Sequence, residues 1–239
     1  MQKSKLTNAI QRYYLAGNCN AVKWVVADSD LKISFMTDSK TLLGNMTVKN
    51  IGISEGEFGI YDTDQLLRML SPLDSEVSYE YSTGFQGVDG IIFNDNSIRA
   101  HYLFADLSVI PETSNLMYEP EPNLTFEVNK EFIDKFVKAK SALSDSNIFA
   151  IEAGPNSSKI IMNYSTHRTN RMEIQIPKSE LHTPMDIIAF NADLFKEVLV
   201  ANKDSKSGTI KVSADGLLIA SFIGEDYESN YYVVKMDIA

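Results

Sequence analysis

Cysteine is nearly absent from this chain, with Cys19 the only one among 239 residues. A single cysteine cannot form a disulfide within the chain, which is typical of proteins that stay in a reducing compartment. Cys19 could serve as a nucleophile, but a small buried residue is the more ordinary interpretation of a lone cysteine. The sequence therefore does not belong to the class of small disulfide-stapled secreted proteins.

Long apolar runs are absent as well. No stretch approaches the roughly 20 apolar residues that a transmembrane helix requires. The N-terminal "MQKSKLTNAIQRYYL" lacks the apolar core of a secretion signal. The hydrophobic fraction of 44% and the charged fraction of 23% are those of a soluble globular protein. We therefore expect a cytoplasmic protein that makes no contact with a membrane.

Motifs that carry catalysis or bind metal are missing too. The sequence has no GxxxxGK[ST] phosphate loop, no HExxH metal pair and no GxSxG nucleophile elbow. His101, His167 and His182 show no ligand-like spacing. Glu225 and Asp226 could act as catalytic carboxylates or bind a hard metal, but an acid pair in a loop before a strand is more typical of a solvated turn. We expect no catalytic residue, no metal, no cofactor and no enzymatic activity.

What the chain does contain is an internal repeat. The stretch "IYDTDQLLRML" begins at Ile60, and the similar "AFNADLFKEVL" begins at Ala189. In each, a polar residue suited to capping a helix precedes an amphipathic helical pattern. A second pair of amphipathic segments repeats with an offset of 126, so that Leu6 aligns with Phe132. Two copies of one domain are the simplest explanation of two matches in the same order.

The coarse secondary structure supports that duplication. Periodicity predicts four helices, at residues 3–14, 62–71, 129–143 and 191–206. Alternating apolar residues with β-branched or aromatic side chains predict strands in both halves. These runs are "NAVKWVVAD", "KISFM", "SEVSYEYS", "GIIFND" and "IRAHYLFA", then "NIFAIEA", "KIIMNYS", "GTIKVSAD", "LLIASFI" and "YYVVKMDI". Each half has the order helix, strands, helix, strands, which predicts an α+β fold with antiparallel sheets.

A proline-rich segment lies between the two halves. Residues 110–124 contain three of the seven prolines in the chain, and prolines suit extended connectors better than sheet interiors. We predict a first domain at 1–110, a connector at 111–123 and a second domain at 124–239. The alternative is a long surface loop within a single β-rich domain.

Charge is unevenly distributed in this acidic protein. The net charge of the chain is −10, which argues against a protein that simply coats nucleic acid. The four predicted helices nevertheless carry +3, −1, +2 and 0, which leaves −14 for the rest. Lysines that only solubilise the helices would also explain this pattern. The basic stretch "HRTNR" at 167–171 could contact phosphates, or it could form the charged end of a hairpin.

Taken together, these features resemble DNA sliding clamps, and most closely the processivity clamps of large T-even-like tailed phages. The stretch "EFGIYDTDQLLRMLSPLDSEVSYEYS" is similar to the first-domain strand, helix and strand of those clamps. The closing "FIGEDYESNYYVVKMD" is similar to their last hairpin. The resemblance runs colinearly over nearly the whole chain and is specific in these two blocks. It implies tandem PCNA-like domains with the sheets outside and two helices per domain facing one side.

The resemblance further implies a homotrimeric ring that encircles double-stranded DNA without reading its sequence and tethers the replicative DNA polymerase. Helical lysines and arginines would face the DNA. The residues implied for this role are Lys3, Lys5, Arg12, Arg68, Lys130, Lys135, Lys138, Lys140 and Lys196. Partner peptides would bind a pocket bordered by the connector and the C-terminal strand. Its candidate residues are Leu116, Met117, Tyr118, Val234 and Met236.

Clamps of this type also imply an ATP-dependent loader, a role in late transcription and, for a phage protein, the cytoplasm of the host cell. Two other hypotheses stay open at this point. One is a phage structural or assembly protein whose duplicated β-rich domain binds only proteins. The other is an enzyme of a kind that the motifs do not reveal.

Overall fold

A computed structural model describes residues 1–85, 87–114, 116, 118–155 and 157–237. The chain forms two compact units. The first unit contains Met1–Phe35 and Asn45–Thr113, and the second contains Met36–Gly44 and the chain from Ser114 onward. None of the helices in the described residues has the length and apolar character that a membrane span requires.

The first unit has two helices and two antiparallel sheets. Its elements in chain order are α1 (Lys3–Tyr14), β1 (Val22–Ala27), β2 (Asp30–Met36), β3 (Leu42–Val48), β4 (Gly56–Ile60), α2 (Thr63–Leu70), β5 (Ser78–Gly84), β6 (Gly87–Asn94) and β7 (Arg99–Leu103). One sheet has the strand order β3-β2-β1-β4 and the other β5-β6-β7. Strands β5 and β7 are therefore the two outermost strands of that sheet.

The second unit repeats this plan. Its elements are β8 (Leu124–Val128), α3 (Lys130–Ala142), β9 (Ile148–Ala153), β10 (Ser158–Met162), β11 (Met172–Ile176), β12 (Ser179–Leu181), β13 (Ile188–Asn191), α4 (Ala192–Ala201), β14 (Ser207–Val212), β15 (Leu217–Ile223) and β16 (Tyr227–Val234). Its sheets have the orders β12-β8-β14-β15-β16 and β11-β10-β9-β13. Strand β11 is outermost in its sheet.

In the first unit the core lies between the two helices and the larger sheet. Tyr13 of α1 is fully buried, with its ring centroid 6.4 Å from that of Phe35 on β2. Its hydroxyl lies 3.2 Å from the Thr63 hydroxyl at the start of α2, which joins the two helices. Burial raises the pKa of Tyr13 because the apolar core disfavours a phenolate.

In the second unit three aromatic rings join the helices to a sheet. The ring of Phe136 on α3 meets that of Phe149 on β9 edge-on, with centroids 5.2 Å apart. It meets Phe195 on α4 in the same manner, also at 5.2 Å. Aromatic rings favour this edge-to-face geometry because the positive edge of one ring approaches the negative face of the other. The cluster fixes both helices on the same side of strand β9.

The helix predictions are confirmed with one correction. The first three helices lie within a residue of their predicted ends. Asp62, Asn129 and Asn191 cap α2, α3 and α4, each accepting a hydrogen bond of 2.9 Å from a backbone N–H three residues on. The prediction that the fourth helix extends to residue 206 is wrong, because α4 ends at Ala201.

The side chain of Asn202 accounts for this early end. Its Nδ2 donates to the Val198 carbonyl and to the Tyr231 hydroxyl, both at 2.8 Å. Its Oδ1 accepts from the Ser229 hydroxyl, also at 2.8 Å. Asparagine competes with the backbone for such bonds, and this one is fully buried. Lys203 and Lys206 therefore lie beyond the helix.

The ten predicted runs all contain strands, and β4 and β13 are the strands that lead into α2 and α4 in the repeated segments. The sequence interpretation left four other strands out. These are β3, β8, β11 and β12. Strand β3 contains Gly44 in its interior, which weakens the strand signal. Strand β12 has only three residues, so its pattern is too short to recognise from alternation. The stretch at 167–171 lies in the connection between the paired strands β10 and β11.

Candidate nucleic-acid interface

Helix α3 carries most of the exposed positive charge on the helices. Lys130, Lys135 and Lys138 are all exposed. Lys135 pairs with Glu131 at 2.7 Å, and the hydrogen bond that it donates lowers the pKa of that carboxyl. Lys130 and Lys138 make no ion pair with any residue in the described part of the chain. These two ammonium groups are therefore available to an outside anion.

One lysine that is not part of a helix also contacts α3. The Nζ of Lys203 lies 2.8 Å from Oδ1 of Asp134, and this bond is the main reason that the pKa of Asp134 is lowered. Lys203 follows the end of α4 and is not among the candidates that the sequence supplied. The sequence pattern predicted that α4 continues past Lys203. The chain instead turns at Asn202, and this turn brings Lys203 beside α3.

Two of the predicted DNA-facing residues are buried, and for them the prediction is wrong. Arg12 is 4% exposed and Lys140 is 5% exposed. The Nζ of Lys140 donates to the Ser144 carbonyl and lies 2.8 Å from Oδ1 of Asp193, so it joins α3 to α4. Lys140 follows the core residue Phe136 by four positions, which places it on the buried stripe of the helix.

The remaining candidates on α1, α2 and α4 present little uncompensated charge. Lys3 is half-buried, and its Nζ donates to the carbonyls of Ser71, at 3.2 Å, and Leu73 beyond the end of α2. Arg68 is exposed and pairs with Asp64 at 3.0 Å, while Lys196 pairs with Glu197 at 2.9 Å. Lys5 is half-buried. The positive face on the helices is thus concentrated on α3.

The candidate partner surface is partly exposed. Tyr118 is 71% exposed, Val234 47% and Leu116 38%, while Met117 lies outside the described residues. Met236 is half-buried, and its N–H donates to the Ala189 carbonyl at 2.8 Å.

The segment that contains Tyr118 is attached to a sheet of the same unit. Glu119, next to it, lies 3.5 Å from Lys211 on β14. This exposed ion pair links the segment to β14 within the second unit.

The histidines, the acid pair and the cysteine considered as possible catalytic or metal-binding groups have ordinary structural roles. His101 lies 2.8 Å from the Ser82 hydroxyl, and His182 lies 3.1 Å from the Thr125 hydroxyl. Glu225 and Asp226 lie in the turn between β15 and β16, and Cys19 is buried. Among the described residues no three histidine, cysteine or acidic side chains are grouped as a metal site would need.

Comparisons with known proteins agree on the architecture. No protein-family model matches the sequence, and no curated protein matches it. The crystal structure of proliferating cellular nuclear antigen from Entamoeba histolytica matches the structure with a TM-score of 0.76 over 99% of this chain and 97% of that one. The fold is that of proliferating cellular nuclear antigen.

The PCNA-like fold confirms the predicted class of two α+β domains with two helices each. The two sequences are 15% identical, so the likeness establishes the fold alone. In this PCNA-like chain the repeat is also visible in the core, because the aligned residues Leu6 and Phe132 are both buried. At the same offset of 126, Arg12 corresponds to Lys138, but only Lys138 reaches solvent.

Lys140 and Lys138 provide a matched test of the division between structural and solvent-facing lysines. Lys140→Met should lower the free energy of unfolding by about 1–3 kcal/mol, because it removes a buried hydrogen bond and an ion pair while keeping the volume. Lys138→Met should change it by less than about 0.5 kcal/mol. Urea unfolding followed by circular dichroism measures both. Equal effects would contradict the burial of Lys140.

Proposed function

We propose that this protein is a DNA sliding clamp, a ring that encircles duplex DNA and tethers a DNA polymerase to it. The observation that carries the proposal is the exposed basic face of α3 on a PCNA-like fold in a protein whose net charge is −10. A ring needs no catalytic group of its own, because its effect is topological. The polymerase held by it has a high effective concentration at the primer end.

The chemistry of α3 suits contact with phosphates that ignores base sequence. Lys130 and Lys138 are separated by eight residues, which corresponds to about 12 Å along a helix. Lysine is a flexible point charge, whereas arginine forms rigid bidentate contacts, so lysines favour weak and mobile contact with a DNA backbone. The acidic remainder of the protein would repel DNA from other surfaces. The same face would therefore both attract DNA and let it slide.

A ring requires surfaces that join subunits, and the sheet edges suggest where they are. An outermost strand has backbone groups that can pair with another chain. Strand β7 has such an edge in the first unit, and β11 has one in the second. We propose that β7 of one subunit pairs with β11 of the next. Head-to-tail contacts form a closed ring when the rotation from one subunit to the next divides a full turn evenly. Three subunits with two domains each would then give a ring of six similar domains.

Exposed apolar residues beside β7 support that interface. A groove of about 720 Å³ lies in the first unit along β7 and α2. It includes Tyr61, Leu103 and Val109, which are 59%, 62% and 55% exposed. On β11, Met172 is 42% exposed. Apolar surface of this kind would be covered by a neighbouring subunit.

The trimer is tested by the mass in solution. Light scattering over a dilution series should give three times the 26.7 kDa of one chain. Leu103→Arg should reduce the mass towards that of a monomer, because it places a charge in the proposed interface. The control Ile223→Arg, which changes an apolar side chain that is 53% exposed in the second unit, should leave the trimer intact. A wild-type monomer at every concentration would exclude the ring.

The DNA contact is tested by charge reversal on α3. Lys130→Glu with Lys138→Glu should weaken binding to duplex DNA, and the slope of log affinity against log salt should fall by roughly 1 per lost phosphate contact. The control is Lys40→Glu with Lys178→Glu, which changes the charge equally at exposed loop residues. Fluorescence anisotropy in a salt titration measures both. Identical slopes for the two variants would favour the alternative of an assembly protein that binds only proteins.

The resemblance to DNA sliding clamps also implies where partners would bind. The connector at 111–123 would join domains at 1–110 and 124–239. Leu116, Tyr118, Val234 and Met236, with Met117, would border the pocket for a polymerase peptide. Because the sequence has no phosphate loop, a separate ATP-dependent loader would open the ring.

The two sequence blocks that resemble T-even-like phage clamps support an origin of that kind. We propose accordingly that the clamp works in the host cytoplasm and also takes part in late transcription. The blocks concerned are the first-domain strand, helix and strand at 57–82 and the closing hairpin at 222–237.

Tyr118 tests the partner pocket. Tyr118→Ala should reduce stimulation of the polymerase roughly tenfold or more, because exposed aromatic anchors contribute much of the binding energy of interfaces. The mass of the trimer should not change. Phe85→Ala is the control, since it removes a fully exposed aromatic ring from the first unit. The length of the extended primers measures stimulation. Full stimulation by the Tyr118 variant would show that the pocket lies elsewhere.

A further inference from the structure

One acidic residue, Asp134, lies in the middle of the basic face of α3. Lys130, Asp134 and Lys138 follow each other at intervals of four residues, so they are neighbours on the helix surface with about 6 Å of rise between them. Oδ1 of Asp134 lies 2.8 Å from Nζ of Lys203, which approaches from beyond the end of α4. Three lysines therefore lie around one carboxylate, and all four residues belong to the second unit.

The carboxyl of Asp134 is charged under all ordinary conditions. The hydrogen bond that it accepts from Lys203 lowers its pKa. The positive charges of Lys203, Lys130 and Lys138 act in the same direction, because each favours the ionised carboxylate. An unperturbed aspartate already loses its proton near about pH 4. Asp134 therefore adds a fixed negative charge to the surface that the proposed function assigns to DNA.

The position of Asp134 is not explained by the stability of the helix. Acids that complement the helix dipole lie in the first turn, where α3 has Glu131, and Asp134 lies beyond that turn. Its ion pair with Lys203 is open to solvent, since the two side chains are 41% and 47% exposed. Exposed pairs of this kind contribute little to the free energy of unfolding. The main consequence of the acid is therefore its effect on the charge of the face.

Lys203 would be a third cation of this face if Asp134 did not engage it. Its backbone N–H donates to the Val200 carbonyl at 3.3 Å, and it directly follows the fully buried Asn202. The backbone is thus anchored, while the long side chain can reorient towards another anion. Each lysine that neutralises a phosphate releases about one counterion, so the number of available lysines sets both the affinity for DNA and its dependence on salt.

We propose that Asp134 limits how tightly α3 holds DNA, because it engages Lys203 and repels phosphates that approach Lys130 and Lys138. This inference rests on the proposed function and adds to it a residue that keeps the contact weak. A ring that slides must break each phosphate contact as it moves, and a weaker contact breaks faster. The acid therefore lowers the affinity for DNA and raises the mobility of the ring.

The first test removes the charge of Asp134 and keeps the size of its side chain. Asp134→Asn should tighten the binding of a short fluorescein-labelled duplex roughly threefold or more. The slope of log affinity against log salt should become steeper by roughly 1, because Lys203 becomes available to a phosphate. Fluorescence anisotropy in a salt titration measures both quantities on the full chain.

The matched control is Glu127→Gln, which changes the net charge equally in the same unit. Glu127 is exposed on β8 between the buried residues Phe126 and Val128. The ring of Phe126 packs against that of Phe132 on α3, with centroids 5.8 Å apart, so Glu127 points to the opposite face of the sheet. This variant should leave the affinity and the salt slope unchanged.

A double variant tests the part that Lys203 plays. Asp134→Asn with Lys203→Gln should return the salt slope to that of the wild-type protein, because the released lysine is removed. A slope that stays steep in the double variant would overturn the role of Lys203. Single-molecule tracking of rings on stretched DNA should show slower diffusion of Asp134→Asn than of Glu127→Gln, and equal diffusion would overturn the role of the acid in mobility.

The outcomes separate this inference from the proposed function. If Lys130→Glu with Lys138→Glu weakens binding while Asp134→Asn behaves like Glu127→Gln, the role of Asp134 is wrong and the clamp stands. If neither the wild-type protein nor Asp134→Asn binds duplex DNA, the proposed function is wrong and this inference falls with it. Circular dichroism confirms that every variant is folded.

Discussion

Burial of one apolar stripe of each helix is the constraint on which the rest of this structure depends. The stripe that contains Phe132 and Phe136 packs α3 onto β8 and β9 through their aromatic rings. Burying such side chains stabilises a domain far more than surface charges do. The orientation of the helix, and with it the direction of every lysine on it, is therefore set by the core. Lys140 falls on the buried stripe and Lys138 does not.

This constraint also explains why so few basic residues remain available to a polyanion. Several helical cations are used within the protein, as the contacts of Lys3 with backbone carbonyls and of Arg68 with Asp64 illustrate. Exposed ion pairs of this kind contribute little to stability, but they compensate charge locally. Lys130 and Lys138 are exposed and make no ion pair with any residue that the structure describes. A charged face can thus consist of a small number of residues even in a protein whose helices contain many lysines.

The first unit shows how backbone geometry shapes a surface. Gly59 lets the chain at 105–110 lie against β4, and that contact buries Ile110 and forms one side of a groove over β1 and β2. Farther along the same unit, β7 ends its sheet beside a second groove with exposed apolar side chains. The two grooves differ in chemistry, because one has a basic floor and the other is apolar.

The sequence by itself determined the features that depend on neighbouring residues. The caps Asp62, Asn129 and Asn191, the amphipathic stripes and the order of elements in each half are all local patterns, and they predicted the α+β duplication that the PCNA-like fold confirms. Even the burial of Lys140 was accessible from its spacing to Phe136. The charge count missed it because it treated the whole helix as one surface.

Tertiary structure alone decided the features that depend on residues far apart in the chain. Asn202 ends α4 because Ser229 and Tyr231 lie beside it, and Lys203 reaches Asp134 because the chain turns there. Strands β8 and β12 pair with each other across 50 or so intervening residues, which no local pattern of a three-residue strand reveals. The groove over β1 and β2 likewise depends on the pairing of Ala105 with Gly59. Local propensity selects helices and strands, whereas contacts between distant segments decide where those elements end and which side chains reach solvent.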